Sequence, residues 1–119
     1  MKILVVDDEK KIATVLAERL RLRGFDVIPV FDGTSALMRL QEERFDGVVL
    51  DLRLPDMDGI QVLRQTREKL SDVRIVVLSG HATQQEFKTC RELGAIACFH
   101  KPAKISELAQ ALTDFRKKE

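Results

Sequence analysis

Acidic residues follow two short apolar segments of this 119-residue chain. Asp7 and Asp8 come directly after residues 3–6, and Asp51 comes directly after residues 48–50. If these segments are neighbouring parallel strands, their carboxyl ends share one edge of a sheet and the three carboxylates meet there. Clustered carboxylates raise one another's pKa unless a cation neutralises them, and oxygen ligands without His or Cys favour a hard cation such as Mg²⁺.

A hydroxyl and an ammonium group follow two further apolar segments. Ser79 comes after residues 75–78, and Lys101 comes shortly after residues 96–99. Three carboxylates, one divalent cation and one lysine have no net charge, so such a site could accept a phosphoryl group. A carboxylate nucleophile needs no strong general base at neutral pH. The chemistry indicated is therefore phosphoryl transfer to an aspartate by positioning and charge neutralisation.

Each of these residues also has an ordinary structural interpretation. Asp8 could cap a helix that begins near residue 9, Ser79 could belong to a turn, and Lys101 could be a surface lysine. Asp51 is harder to explain in this way, because an acid at the end of a buried strand is costly without a partner. The function is indicated by the combination of residues on one side of the sheet.

The elements that must position these residues alternate regularly along the chain. Strands are predicted near residues 3–6, 27–30, 48–50, 75–78 and 96–99. Helices are predicted over 9–23, 34–43, 59–70 and 83–93 and around 105–112, the first with an inner stripe of Ile12, Val15, Leu16 and Leu20. This pattern predicts an α/β fold, (βα)5, with a parallel sheet covered on both faces. Pro29 places the second strand at or near an edge, and Gly24 and Gly94 are expected to end helices in a left-handed conformation.

Composition excludes several classes of protein. The chain has 20 Lys and Arg against 19 Asp and Glu, a net charge of +1, which disfavours direct nucleic-acid binding. Cys90 and Cys98 are too few for a disulfide scaffold, and no segment is long enough to span a membrane. A single cytoplasmic domain over residues 1–119 is expected. The charge runs Arg19, Arg21, Arg23 and 116–118 are interpreted as solvated helix faces.

The motifs resemble the receiver domain of two-component response regulators, and the resemblance covers the whole chain. It is carried by the Asp7-Asp8 pair, by residues 51–59 (Asp-Leu-Arg-Leu-Pro-Asp-Met-Asp-Gly), by Ser79 and by Lys101-Pro102. The resemblance implies a doubly wound, flavodoxin-like three-layer sandwich with strand order 2-1-3-4-5. It also implies that the Lys101–Pro102 bond is cis.

The resemblance further implies the role of each site residue. Asp51 would accept the phosphoryl group, with Ser79 and Lys101 contacting its oxygens. Mg²⁺ would be held by Asp7, Asp8, Asp51 and the backbone carbonyl of Arg53. The domain would assist its own phosphorylation and slow dephosphorylation without being a turnover enzyme.

Partners are implied in the same way. The donor would be a histidine kinase or a histidine phosphotransfer protein meeting the first helix. The output domain or protein would bind the surface of the fourth helix, fifth strand and fifth helix, and a homodimer is possible. A degenerate receiver that binds partners without phosphorylation is the alternative.

The sequence departs from the family near the fifth strand. Cys98 replaces the usual Tyr or Phe three residues before the lysine, and alternation along the strand predicts that Phe99 faces the opposite side of the sheet. We expect Phe99 to be core, Cys98 to be an inert filler and His100 to be structural or exposed. Ala103 replaces a common Phe, which is expected to loosen the last loop.

Arg53 and His81 lie two residues beyond Asp51 and Ser79. In the family these positions flank the phosphoryl pocket, so the two residues are hypothesised to influence water access and dephosphorylation. The alternative is two solvated loop side chains.

Two other classes fit less well. A flavodoxin-like cofactor binder needs a phosphate-binding loop after the first strand, where Asp7, Asp8 and Glu9 would repel phosphate. A phosphatase with an Asp nucleophile usually has Asp-x-Asp, whereas Arg53 stands two residues after Asp51.

Overall fold

The computed structural model describes residues 1–114 and contains the predicted (βα)5 alternation. The strands are β1 (Lys2–Val6), β2 (Asp26–Val30), β3 (Gly47–Leu50), β4 (Arg74–Ser79) and β5 (Ala97–His100). The helices are α1 (Lys10–Leu22), α2 (Gly33–Glu42), α3 (Gly59–Lys69), α4 (Gln84–Glu92) and α5 (Ile105–Thr113). The charge run at 116–118 lies outside the described residues.

The five strands form one parallel sheet in the order β2-β1-β3-β4-β5, as predicted. β3 and β4 are buried along their whole length and β1 from Ile3 onward, because helices cover both faces of the sheet. β2 is an edge strand in which Pro29 pairs with Val5, which fits a residue that has no amide proton to donate.

Side-chain alternation along the strands divides the core into two layers. Leu4 and Val6 of β1 point toward the layer that includes α2, α3 and α4, and Ile3 and Val5 point toward the layer with α1 and α5. Leu50 of β3 belongs to the first layer. The molecule is therefore a three-layer sandwich, and the fold prediction is confirmed.

The predicted inner stripe of α1 was partly wrong. Ile12 and Val15 are 40% and 45% exposed, whereas Ala13 and Ala17 are fully buried together with Leu20. Small alanine side chains let the helix backbone approach the sheet closely, and a count of large apolar residues misses such a face. Ile12 and Val15 are left on the outside of α1 as a result, in addition to the exposed Leu22 at its end.

Helix ends follow local chemistry. Asp32, Asp58 and Thr83 are the N-caps of α2, α3 and α4, and each accepts a hydrogen bond from a backbone amide of the first turn. Gly24 and Gly94 have φ of 96° and 106°, the left-handed conformation predicted for these positions.

None of the helices within residues 1–114 has the length and apolar character that crossing a membrane requires. Arg19, Arg21 and Arg23 are exposed, as expected for a solvated helix face.

Candidate functional site

The parallel ladder places the predicted site residues at one edge of the sheet. The Asp7 amide donates to the Val30 carbonyl (3.1 Å), and the Asp51 amide donates to the Val6 carbonyl (3.0 Å). The Lys101 amide donates to the Ser79 carbonyl in the same manner (3.1 Å). The backbone amides of these three residues are therefore each bonded to the last residue of a neighbouring strand. These bonds fix the points from which the three side chains extend.

Asp7, Asp8 and Asp51 form an acidic cluster at this edge. One carboxylate oxygen from each lies within 4.8 Å of the others. Asp7 and Asp51 are buried, at 3% and 5% exposure, whereas Asp8 is exposed. Only oxygen ligands are offered, and their spacing fits a hard divalent cation.

Lys101 lies between the two buried members of the acidic cluster. Its Nζ is 2.7 Å from Asp7 Oδ2 and 2.9 Å from Asp51 Oδ2, and it is 3.1 Å from Glu9 Oε1. Burial lowers the pKa of Lys101, but the hydrogen bonds and charges of Asp7 and Asp51 together outweigh burial. The pKa of Lys101 is therefore raised above its ordinary value. The ammonium group therefore stays protonated between the carboxylates.

The remaining oxygens of the two buried carboxylates are held by backbone. Asp7 Oδ1 accepts a hydrogen bond from the Glu9 amide (2.9 Å), and Asp51 Oδ1 accepts one from the Arg53 amide (3.2 Å). The pKa of Asp7 is raised because burial outweighs the hydrogen bond and charge of Lys101. In each carboxylate, one oxygen thus accepts a hydrogen bond from a backbone amide and the other contacts Lys101 Nζ.

Asp8 does not cap α1. The N-cap residue is Glu9, and α1 begins without a side-chain cap. The capping interpretation of Asp8 was therefore wrong, and its carboxylate belongs to the acidic cluster.

Ser79 is the last residue of β4 and is completely buried. Its Oγ has no hydrogen-bond partner among the described residues. A buried hydroxyl without a partner is uncommon and costs free energy, so it needs an explanation. Because Ser79 lies at the same edge as Lys101, its hydroxyl is available to donate to an oxygen of a group bound there.

The loop from Asp51 to α3 is attached to α2. Asp56 accepts hydrogen bonds from the amides of Gly33 (2.8 Å) and Thr34 (2.9 Å) and from the Thr34 hydroxyl (2.6 Å). These hydrogen bonds lower the pKa of Asp56 to about 2, and the bond from the Thr34 hydroxyl contributes most. Gly59 permits a close approach, because a Cβ there would lie 2.5 Å from the Asp51 carbonyl oxygen. The sequence motif contained Asp56, but its contact with α2 was not predicted.

Arg53 joins this loop to α4. Its guanidinium donates to both carboxylate oxygens of Glu86 (3.0 Å each) and to the His81 carbonyl (3.2 Å). The bond to Arg53, with a second from the Thr83 amide, lowers the pKa of Glu86 to about 2. Glu86 was not predicted as a site residue, although Thr83 and Glu86 have the spacing of a capping box. His81 is exposed.

The α4–β5 region contains the departures noted in the sequence. Cys98 is half-buried with its Sγ 3.8 Å from the Phe87 carbonyl oxygen, and burial raises its thiol pKa. The His100 ring is exposed and lies 4.8 Å from the Phe87 ring, centroid to centroid. Phe99 packs against the opposite core layer, as alternation predicted, although it is only partly buried.

The last loop has a cis bond between Lys101 and Pro102, as the resemblance implied. Ala103 is partly buried against the core. Beside it a cleft of about 390 Å³ is lined by the exposed side of α1 and by Pro102 and Ile105.

The sequence model of the response regulator receiver domain matches residues 3–113. Sporulation initiation phosphotransferase F of Bacillus subtilis is 32% identical over 114 residues, covering 96% of this chain and 92% of the relative. Regulatory protein VanRc of Enterococcus gallinarum is 39% identical over 117 residues, covering 98% of this chain but 50% of the relative. The chain thus spans nearly all of one relative and about half of the other.

Solved structures show the same fold. A response regulator from Burkholderia pseudomallei, solved with a phosphorylated aspartic acid, a calcium ion and citrate, has a TM-score of 0.89 and 29% identity. It covers 95% of this chain and 66% of its own. The BeF3-activated DrrB receiver domain has a TM-score of 0.80 and 32% identity, covering 90% of this chain and 89% of its own.

Proposed function

The chain belongs to the response regulator receiver domain family, and on that premise we propose that it accepts a phosphoryl group on Asp51 in a Mg²⁺-dependent reaction. The observation that carries the proposal is the position of Lys101 Nζ, 2.7 Å from Asp7 and 2.9 Å from Asp51. A partly buried lysine shared by two carboxylates, at the same sheet edge as a serine hydroxyl with no partner among residues 1–114, forms a site that can bind a phosphoryl group. The related Burkholderia structure contains a phosphorylated aspartic acid.

The proposed nucleophile is a carboxylate oxygen of Asp51. It attacks the phosphorus of the donor, the P–N bond of a phosphohistidine breaks, and the imidazole leaves with the electron pair. Lys101 pairs with Asp51 before the reaction and would bond to a phosphoryl oxygen after it. Ser79 would donate its buried hydroxyl to another oxygen. The residues contribute position and charge, as expected of phosphoryl transfer.

The acidic cluster supplies the proposed metal ligands. Asp7, Asp8 and Asp51 offer oxygens within 4.8 Å of one another, and the backbone carbonyl of Arg53 would be a fourth ligand. When bound, Mg²⁺ supplies positive charge next to the phosphoryl oxygens. The calcium ion of the Burkholderia response regulator is consistent with a hard cation in such a site.

The phosphoryl group would leave by hydrolysis of the acyl phosphate, which makes the domain a switch rather than a turnover enzyme. Arg53 and His81 are exposed, and the Arg53 guanidinium contacts the His81 carbonyl; their side chains would limit the access of water to the acyl phosphate. Exchange of His81 for Ala is expected to change the acyl-phosphate half-life, and an unchanged half-life would remove His81 from this role.

The proposed donor is a histidine kinase or histidine phosphotransfer protein that docks on α1. The exposed Ile12 and Val15 and the adjacent cleft support this surface. The proposed output surface is α4, β5 and α5, which would contact an output domain or protein or a second copy of the chain. The names of relatives such as the transcriptional regulatory protein PrrA of Mycobacterium tuberculosis, 36% identical, support control of a regulatory output. We propose that residues 1–119 form one receiver domain.

A receiver that binds partners without phosphorylation is the second candidate function. Cys98 favours it, because the aromatic side chain usual at this position is missing. The acidic cluster, Ser79 and Lys101 together favour phosphorylation.

Beryllofluoride, which mimics a phosphoryl group, tests the proposal. Wild type is expected to bind it only with Mg²⁺, with NMR shifts in Asp51, Ser79 and Lys101. Asp51→Asn is expected to lose this binding while keeping the fold. Binding in wild type that needs no Mg²⁺, or equal binding in the variant, would contradict the proposal.

A further inference from the structure

A single guanidinium connects the loop after Asp51 to the first turn of α4. Arg53 makes two hydrogen bonds of 3.0 Å to Glu86 and one of 3.2 Å to the His81 carbonyl. Its side chain is 47% exposed and that of Glu86 is 27% exposed. The ion pair is therefore bidentate but accessible to solvent, so the guanidinium of Arg53 can leave Glu86 for another anionic partner.

Glu86 also belongs to the start of α4. Its Oε1 accepts the Thr83 amide (2.9 Å), while the Thr83 hydroxyl accepts the Glu86 amide (3.0 Å), which completes a capping box. α4 buries only Phe87 and Cys90 among its nine residues. A contact at its first turn therefore adds to the few interactions that hold this helix in place.

The backbone of Arg53 contacts the proposed phosphoacceptor. Its amide donates to Asp51 Oδ1 (3.2 Å), and its backbone forms an isolated antiparallel bridge with Asp58. The pKa of Arg53 is raised by the bond to Glu86 first, and then by the charges of Glu86, Asp58 and Asp51. Arg53 stands two residues after Asp51 and is bonded to its carboxylate through the backbone, so phosphorylation of Asp51 would add negative charge next to Arg53.

We propose that a phosphoryl group on Asp51 competes with Glu86 for the guanidinium of Arg53, so that phosphorylation loosens the ion pair between this loop and α4. The inference rests on the proposed phosphorylation of Asp51. Arg53 acts as a positioning residue, because its contact with Glu86 depends on the charge at Asp51. Guanidinium groups bind carboxylates and phosphates in the same bidentate manner, which makes the exchange chemically direct.

This route would suit a chain that has Cys98 in place of an aromatic side chain. Cys98 contacts the carbonyl of Phe87 but offers no ring that could turn between two positions. A connection through Arg53 and Glu86 reaches the first turn of α4 without passing through β5. Because coupling is reciprocal, weakening the ion pair should strengthen binding at Asp51.

The test is a double-mutant cycle on beryllofluoride affinity in Mg²⁺. The chain has no Trp or Tyr, so binding is followed by NMR or calorimetry. E86Q retains a side chain that can complete the capping box but removes the charge. We expect it to tighten beryllofluoride binding about two- to fivefold, the scale of an exposed ion pair. In an R53Q background the same exchange is expected to have no effect.

A matched control and a second measurement separate the possible causes. E92Q removes an exposed charge from the last residue of α4 and should leave the affinity unchanged. The Nε–Hε signal of Arg53 should move when beryllofluoride binds to wild type. An unmoved signal would contradict the exchange.

The outcomes distinguish this inference from the proposed function. Wild type that binds no beryllofluoride would overturn both. Wild type that binds normally while E86Q leaves the affinity unchanged would overturn the exchange alone. An equal gain in the wild-type and R53Q backgrounds would assign the effect to bulk charge and would also overturn it.

Discussion

The acidic cluster and the α4–β5 region differ in how their side chains are held. In the acidic cluster Asp7 and Asp51 are buried, and each has one oxygen on a backbone amide and one on Lys101. In the α4–β5 region every residue of β5 is at least partly exposed, and α4 has two buried side chains. One region is fixed from several directions, whereas the other is held by few contacts.

This difference fits two proposed roles. The acidic cluster would carry out phosphoryl transfer, and the α4–β5 region would transmit the change to a partner. The proposed phosphoryl site must be preorganised, and its groups are attached to strand ends that packing holds in place. A segment that changes with the state of the site must be able to shift at low cost in free energy. We therefore expect substitutions in the acidic cluster to affect phosphorylation strongly, and those in the α4–β5 region to affect it weakly.

Apart from exchange of Asp51 itself, Lys101→Gln should give the largest effect. The loss of the ammonium group leaves Asp7 and Asp51 facing each other, so phosphorylation by acetyl phosphate should slow on the order of a hundredfold. The free energy of unfolding at neutral pH should fall by about 1–3 kcal/mol, since buried charged groups lose their partner. Lys104→Gln, an exposed neighbour, is the control. A rate within a few-fold of wild type would show that Lys101 is only structural.

Ser79→Ala should separate function from stability. The Ser79 hydroxyl is buried without a partner among residues 1–114, so its removal should leave the free energy of unfolding within about 1 kcal/mol of wild type or raise it. Phosphorylation should nevertheless slow about tenfold, because a neutral donor to the phosphoryl oxygens is lost. Ser71→Ala in an exposed loop should change neither property. An equal rate in Ser79→Ala would contradict the assigned role.

The loop that carries Arg53 should be sensitive to acid through Asp56. The pKa of Asp56 is lowered from 3.8 to about 2, so its stabilising contribution is present above the ordinary value and lost as pH falls toward 2. Asp56→Asn should lower the melting temperature at neutral pH and flatten its decline over that range. Thermal unfolding by circular dichroism measures both effects. Asp72→Asn should reproduce the wild-type curve; an unchanged curve in Asp56→Asn would mean that the α2 contact does not stabilise the loop.

The two cysteines should give the smallest effects on function. Burial raises the thiol pKa of both, that of Cys90 to about 11, so neither is expected to react readily near neutral pH. Cys98→Ser should leave the acyl-phosphate half-life within about twofold of wild type, with or without peroxide. Cys90→Ser should reduce stability more, because Cys90 is fully buried. A peroxide effect that disappears in Cys98→Ser would instead establish a redox role.

Much of the fold and of the acidic cluster could be predicted from the sequence. Apolar segments of three or four residues predicted the strands, and the residues directly after them predicted Asp7, Asp51 and Ser79, with Lys101 two residues after the last segment. These positions depend on local order along the chain and on the geometry of a parallel sheet. The strand order itself came from the resemblance, with Pro29 supporting it.

The features that could not be predicted depend on tertiary contacts. Glu86 contacts Arg53 across 33 residues and Asp56 contacts Gly33 across 23, and neither separation leaves a periodic signal. The inner face of α1 was misjudged because Ala13 and Ala17 are small and Ile12 and Val15 are large. The lack of a partner for the Ser79 hydroxyl is a property of the packed core and has no sequence pattern.

Labelling with acetyl phosphate tests the central claim most directly. The protein is incubated with acetyl phosphate and Mg²⁺, and the acyl phosphate is reduced with borohydride and mapped by mass spectrometry. We predict a single modified residue, Asp51, with no labelling when Mg²⁺ is chelated and none in Asp51→Asn. Labelling at another residue, or equal labelling of the wild type and Asp51→Asn, would contradict the assignment of Asp51 as the phosphoacceptor.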